Sequence, residues 1–237
     1  MPNLFFNFKQ FTVYQDKCAM KVGIDGVLLG AWAPVEEAQK ILDIGTGTGL
    51  IALMLAQRSK AEILGIDIDN KAFLQATENI KNAPWSNRIT LIENSIQEFS
   101  ESTTKRFDLI VSNPPYFVDS FKSPSESRTK ARHTDFLLHE DLIICSKRLL
   151  TTKGRICLIL PVIEGLRCID FGERLGLFCS KLVKVIPKPG AVPKRILIEF
   201  SQFYSKKVEY ELLIETENRH SYSEEFTQLA KDFYIKL

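Results

Sequence analysis

The stretch VSNPPYF, residues 111–117, sets an amide, two prolines and an aromatic ring at the end of an apolar run. A packed core has no need of that order. The residue types suit one task, which is to hold an exocyclic amine such as that of adenine while its nitrogen attacks an electrophile. The lone pair of such an amine is delocalised into the ring, so it is a poor nucleophile. The side-chain oxygen of Asn113 and the carbonyl of Pro114 can each accept one of its two N–H bonds, which helps the nitrogen towards tetrahedral geometry. Pro114 and Pro115 restrict the backbone torsions and hold those acceptors in place beforehand. Tyr116 offers a face on which a base can stack, worth about 1–3 kcal/mol. The plain alternative is a rigid turn capped by a half-buried tyrosine.

A second group supplies a site for the electrophile. In LDIGTGTGL, Gly45, Gly47 and Gly49 let the chain turn sharply and let a ligand lie against bare main chain. The spacing is G-x-G-x-G, not the G-x-G-x-x-G of dinucleotide sites. Asp43 just before the loop would repel a pyrophosphate but could bind a cationic amino-acid ligand, directly or through water. Asp67, at the end of GIDID, can accept from both hydroxyls of an adenosine ribose. A ribose, a positively charged methionine end and no phosphate together describe S-adenosylmethionine. Dinucleotide binding, and a turn whose glycines serve packing alone, are the alternatives.

These residues need a scaffold that brings distant loops to one edge. From Lys40 onward, strand-like and helix-like segments alternate: KILDI, GLIALMLAQR, AEILGID, NKAFLQATENIKNA, RITLIEN, RFDLIVS, DFLLHEDLIICSKRLL, GRICLIL and EGLRCIDFGERLG. KLVKVIP and RILIEFSQF follow as two closing strands. Continuous apolar strands separated by helices imply parallel crossovers, hence a doubly wound, mostly parallel α/β sheet. Residues 40–203 form this core within a single domain. Residues 1–39 are expected as an extension covering the donor site, a hairpin in FNFKQFTVYQDKCAM and a short helix in DGVLLGAWA over one end of the sheet. Residues 204–237 are expected to add an edge strand, VEYELLIE, and a terminal helix capped at Ser223.

Composition narrows the classes. The 237 residues are 45% hydrophobic and 25% charged, ordinary for a globular chain of one sizeable core. No apolar run approaches the roughly 18 residues of a membrane span, and the first residues lack the layout of a signal peptide. The five cysteines show no CxxC spacing, which points to a reducing, cytoplasmic setting with neither disulfide framework nor metal site. Net charge is only +2, so affinity for nucleic acid would have to come from local basic patches.

ILDIGTGTGLIALMLAQR, ILGIDID, VSNPPYF and the early KVGIDGVLLGAWA resemble the class I S-adenosylmethionine-dependent methyltransferases that act on exocyclic or amide nitrogens. Within these the chain is most similar to the bacterial tRNA adenine-N6-methyltransferases that modify adenine 37 of a valine tRNA. The similarity covers nearly the whole chain, including SPSESRTKARH and PKPGAVPKRILIEF. The glycine loop and NPPY mark only the superfamily, while the early block and the late PKR region narrow it. The resemblance implies a Rossmann-like fold and donor contacts at Asp25, Asp43, Gly45, Thr46, Gly47, Gly49, Asp67, Ile68, Asn94, Ser95 and Asn113. It implies catalytic roles for Asn113, Pro114, Pro115 and Tyr116, and Asp25 is expected to help close the donor pocket. One departure stands out: where related enzymes often carry an Asp against the donor's adenine amine, this chain reads IENSI, so Asn94 or Ser95 is expected to substitute.

Two basic groups fit a tRNA partner. Lys122, Arg128, Lys130, Arg132 and His133 follow NPPY, and Lys184, Lys188, Lys194 and Arg195 cluster near the closing strands. Basic residues beside a base pocket suit phosphate contacts, and an anticodon-loop adenine is already partly unstacked. Simple solvation of these charges is the alternative. Other acceptors stay open. A release-factor glutamine amide poses the same two-donor problem, although an extra N-terminal helical domain would be expected there. A ribosomal RNA acceptor would leave the core looking alike. Duplex DNA would call for a target-recognition domain, and a non-catalytic binding module would be expected to have lost the loop or NPPY.

Overall fold

The structure is a computed structural model that describes residues 3–18, 20–115, 139–217 and 221–236. Strands β1 (Phe5–Asn7) and β2 (Thr12–Tyr14) pair as an antiparallel hairpin, and helix α1 (Ile24–Trp32) follows. Then β3 (Lys40–Ile44), α2 (Leu50–Arg58), β4 (Glu62–Asp67), α3 (Asn70–Lys81), β5 (Ile89–Glu93), α4 (Ile96–Ser102) and β6 (Phe107–Ser112) alternate. The described chain resumes with α5 (His139–Leu149), β7 (Leu150–Pro161), α6 (Val162–Arg174), β8 (Phe178–Ile186), β9 (Arg195–Ser201), β10 (Val208–Leu213) and α7 (Glu224–Ala230).

Eight strands form one sheet in the order β10-β8-β9-β7-β6-β3-β4-β5. From β5 across to β7 every pairing is parallel, β9 runs antiparallel between β7 and β8, and β10 pairs parallel with β8 at the edge. This is the doubly wound, mostly parallel sheet that the alternation implies. Successive side chains of a strand face opposite sides. Ile41, Leu109, Val111, Cys157 and Ile159 therefore join a core with α1 and α2, while Leu42, Ile44, Ile110, Ile156 and Leu158 join a core with α4 and α5. Two-sided burial is why these strands read as unbroken apolar runs. Four cysteines, Cys145, Cys157, Cys168 and Cys179, are buried and unpaired, as small apolar residues would be.

Several local outcomes differ from the sequence reading. Helix α4 is absent from it, although Ser95 and Glu98 carry the S-x-x-E start signal and the Ser95 hydroxyl accepts from the Glu98 N–H at 3.1 Å. The helix spans only seven residues, too few for a periodic stripe to stand out. Strand β7 begins at Leu150, not at Gly154, because Leu150 pairs with Phe107 of β6. Helix α1 does not cap an end of the sheet. Six of its nine residues are buried, and it packs along α2 and shares a core with Cys157 and Ile159 of β7. The terminal helix is capped by Ser223 as expected, but it stops at Ala230, after which Tyr234 bridges back to Phe8 of the hairpin segment.

The buried face of α3 is partly polar. Asn79, 1% exposed, accepts from the Tyr14 N–H at 2.9 Å and donates to the carbonyls of Tyr14 at 2.8 Å and Thr48 at 2.9 Å. Gln75 accepts from the Lys17 N–H at 2.8 Å. Two amides thus dock the hairpin and the segment after it onto α3, and Asn79 also ties the hairpin to the glycine loop.

The α1–α2 contact depends on one missing side chain. A Cβ at Gly30 would lie 2.8 Å from Met54 Sδ and 2.9 Å from Met54 Cβ, so the helices approach as closely as a glycine permits. Gly30→Ala is expected to lower the unfolding free energy by about 1–3 kcal/mol through overpacking. Urea denaturation measures this.

Candidate active site

A cavity opens at the carboxyl ends of β3, β4, β5 and β6, the place where an open α/β sheet binds ligands. Its wall includes Gly45 and Gly47 after β3, Asp67, Ile68 and Asp69 after β4, Asn94 and Ser95 after β5, and Asn113, Pro114 and Pro115 after β6. Residues separated by nearly seventy positions in sequence thus share one space because parallel strands deliver their ends to one edge.

The glycine loop is laced to the end of β4. Gly45 and Thr46 both donate main-chain N–H bonds to the Ile66 carbonyl, at 2.8 and 3.0 Å, and the Gly47 N–H donates to Asp67 Oδ2 at 2.8 Å. Gly45 and Gly47 have φ of 71° and 58°, a left-handed conformation that favours glycine. A Cβ at Gly45 would meet nothing within 4 Å, so the loop presents open space to the cavity. Asp67 Oδ1 also accepts from the Asp69 N–H at 3.0 Å. Both oxygens are aimed by main-chain donors, and each keeps accepting capacity for ribose hydroxyls.

Other expected donor contacts fall behind or beside the cavity. Asp43 is fully buried and absent from the wall; its Oδ2 accepts from the Thr46 hydroxyl at 2.7 Å. Its Oδ1 has no hydrogen-bond partner among the described residues. Asp43 and Thr46 brace the loop from below, and Gly49 serves as the residue before α2. Asp25 is also absent from the wall and pairs with Arg195 across 170 residues, Asp25 Oδ2 accepting from Arg195 Nε at 3.0 Å. Side-chain contacts between residues so far apart have no local signature.

Asn94 and Ser95 stand where the substitute for the missing Asp was expected. Asn94 Oδ1 accepts from the Ser95 N–H at 2.7 Å, and the Ser95 hydroxyl caps α4. The sequence reading missed Asp69, Cys18 and Met20 in the wall. Asp69 was legible, since it caps α3 by accepting from the Ala72 N–H at 3.0 Å. Cys18 and Met20 lie in the segment that Gln75 docks through the Lys17 N–H and that Gln15 holds through the Val22 N–H at 2.7 Å.

On the acceptor side, the Ser112 hydroxyl donates to the Ile44 carbonyl at 2.8 Å, fastening the end of β6 to β3. His139 Nε2 lies 3.3 Å from the Pro115 carbonyl. Burial holds the His139 imidazole below its ordinary pKa, against the Pro115 hydrogen bond and the nearby Glu164 carboxylate. Tyr116, Lys122, Arg128, Lys130, Arg132 and His133 lie outside the described residues. Lys188 and Lys194 are exposed in the β8–β9 turn, and Lys184 is paired with Glu209 at 2.8 Å. Ser112 is level with Leu158, and Arg195 stands opposite Pro161, so this turn leaves the sheet at the same edge as Asn113.

The site is acidic where a donor would sit. Burial pushes the Asp43 carboxyl up to about 7, against the Thr46 hydroxyl and the longer-range Ala52 amide, while Asp67 repels its charge. Burial also raises Asp67 above the ordinary carboxylate range. The half-buried Asp67, with the buried Asp43 carboxyl behind the loop, suits a cationic ligand and opposes a pyrophosphate.

A carboxyl whose pKa rises on folding contributes its stability below the unfolded value and loses it as pH rises through the folded one. For Asp43 that window runs from about pH 4 to about pH 7. Between pH 4 and pH 8 the unliganded protein should lose up to about 4 kcal/mol from this group. Asp43→Asn should remove that loss, so the variant gains on the wild type as pH rises. Urea midpoints at the two pH values measure the difference, and parallel curves would contradict it.

A family model, the methyltransferase small domain, matches residues 21–163. A curated protein of Parabacteroides distasonis named tRNA1(Val) (adenine(37)-N6)-methyltransferase is 53% identical over 238 residues, covering 100% of both chains. Another of that name from Trichodesmium erythraeum is 48% identical and covers 98% of each. Among solved structures, a predicted O-methyltransferase of Agrobacterium tumefaciens superposes with a TM-score of 0.71 at 20% identity, covering 88% of this chain and 96% of that one. A Pyrococcus furiosus methyltransferase gives 0.58 at 20% identity, covering 81% and 88%. At such identities the two structures speak for the fold alone, whereas the full-length relatives and the domain match go further. The chain belongs to the methyltransferase small-domain family and, within it, to the tRNA1(Val) (adenine(37)-N6)-methyltransferases.

Proposed function

We propose that the protein transfers a methyl group from S-adenosylmethionine to the exocyclic N6 of adenine 37 in the anticodon loop of tRNA1(Val). The observation that carries this reading is the placement of Asn113, Pro114 and Pro115 in the wall of the cavity that also holds Gly45, Gly47 and Asp67. The full-length relatives of that name support the choice of acceptor.

S-adenosylmethionine supplies an electrophilic methyl group on a positively charged sulfur. Asp67 accepts from the ribose hydroxyls, and the bare backbone at Gly45 and Gly47 admits the methionine portion. Asn94 and Ser95 flank the donor's adenine. Asp43 acts through the loop, its charge favoured once a cation lies nearby.

Asn113 Oδ1 and the Pro114 carbonyl accept the two N–H bonds of the target amine. Their acceptance increases as the nitrogen gains positive charge, so they stabilise the transition state more than the ground state. Tyr116 stacks on the extruded base. By holding the amine beside the donor pocket, Asn113 and Pro114 would contribute to an alignment effect of up to about 7–11 kcal/mol. No strong base is needed, because the methylated, ammonium-like nitrogen loses its proton readily.

Lys188, Lys194 and Arg195 contact tRNA phosphates from the edge beside the cavity, and Lys122, Arg128, Lys130, Arg132 and His133 do so from the segment after NPPY. The cytoplasm, where tRNA is processed, is the working compartment; no described helix is long and apolar enough to cross a membrane.

Labelled S-adenosylmethionine should deliver one N6-methyladenosine per unmodified tRNA1(Val) transcript, and none to a transcript with guanine at position 37. Nucleoside mass spectrometry reads both. Transfer only to ribosomal RNA or a release-factor glutamine would keep the chemistry and overturn the acceptor. Lys188→Ala with Lys194→Ala should raise the KM for tRNA about tenfold and flatten its salt dependence, with donor binding unchanged.

A further inference from the structure

Asn113 to Pro115 must present two acceptors in fixed positions, and two of the three residues are prolines. Neither proline has an N–H to donate, so only carbonyls and the Asn113 residue can anchor it. Covalent structure removes most of its freedom. The rings hold φ at Pro114 and Pro115, and Asn113 and Pro114 each precede a proline, which confines their ψ to extended values. Pro115 precedes Tyr116, so its ψ is open.

We propose that His139 is a positioning residue for methyl transfer, holding the downstream end of the acceptor segment by donating from Nε2 to the Pro115 carbonyl. This rests on the proposed reading of Asn113 and Pro114 as amine acceptors. The distance is 3.3 Å, and since a carbonyl only accepts, the ring nitrogen is the donor. The upstream end is fixed by the Ser112 hydroxyl on the Ile44 carbonyl. Between these anchors the confined torsions leave Asn113 and the Pro114 carbonyl in one place.

The anchor itself is rigid. His139 is 9% exposed and opens α5, whose Leu142 and Ile143 are fully buried in the core beneath β6. A donor on a packed helix imposes its position on the segment, not the reverse. Because the imidazolium also carries a proton on Nε2, the anchor does not depend on the ring's charge. Sequence reading gave His139 no role, because its partner is a main-chain atom.

The test compares His139→Leu, which keeps bulk and drops the donor, with His139→Gln, whose amide N–H reaches about as far as Nε2. Single-turnover methylation is measured at saturating S-adenosylmethionine and RNA, beside the dissociation constant for S-adenosylhomocysteine and a thermal melt. His139→Leu should slow the methyl-transfer step about 10–100-fold, as misplacement by about 1 Å would. Its S-adenosylhomocysteine affinity should stay within about twofold, and His139→Gln should recover most of the rate. An unchanged rate in His139→Leu, an equal loss in both variants, or a parallel loss of S-adenosylhomocysteine binding would each overturn the inference. If His139→Leu fails to melt cooperatively, His139→Ala serves as the variant without a donor. A wild type that binds S-adenosylhomocysteine but leaves tRNA unmethylated counts against the proposed acceptor, and the comparison then uses the acceptor that it does methylate.

Discussion

The lacing of the glycine loop to β4 is the constraint on which the site depends. Two main-chain donors, Gly45 and Thr46, converge on the Ile66 carbonyl, and a third, Gly47, holds the Asp67 carboxylate. The same bonds that close the turn therefore aim a side chain into the cavity. Asp43 tightens the arrangement from beneath through Thr46, and Asn79 ties the carbonyl of Thr48 to the N-terminal hairpin. The segment after the hairpin, docked on α3 by Gln75, brings Cys18 and Met20 to the wall.

The cavity divides its two tasks by charge. Its β3–β4 side gathers carboxylates that repel each other and strain against burial, which favours a positively charged ligand. Its β6 side offers neutral acceptors, an amide oxygen and a main-chain carbonyl. A carboxylate at position 113 could also accept from an amine, but it would stand close to the acidic side and compete for the same cation. The neutral amide suits an acceptor that carries positive charge only transiently.

What was legible in the sequence follows from what is local. The apolar runs of β3, β4 and β6 showed two-sided burial, and the glycine loop, Asp67 and NPPY showed chemistry through spacing. Alternation then implied that these strand ends meet, which they do in the cavity wall. The short α4 carried a readable start at Ser95 and Glu98 but no periodic stripe. Asp43 was identified by type and order, whereas its depth behind the loop depends on how α2 packs. The pairing of Asp25 with Arg195 and of His139 with Pro115 joins atoms that only the folded chain brings together, one of them a bare carbonyl.

The central claim is that amine activation falls to Asn113 and Pro114, while Gly45, Gly47 and Asp67 carry most of the donor binding. Asn113→Ala tests it most directly, with S-adenosylhomocysteine affinity by calorimetry beside the single-turnover rate on tRNA. Affinity should stay within about twofold of the wild type while the rate falls by about 100-fold or more, the loss typical of removing one group that stabilises developing charge. Lost affinity, with an unchanged rate once the donor saturates, would place Asn113 in donor binding and contradict the account.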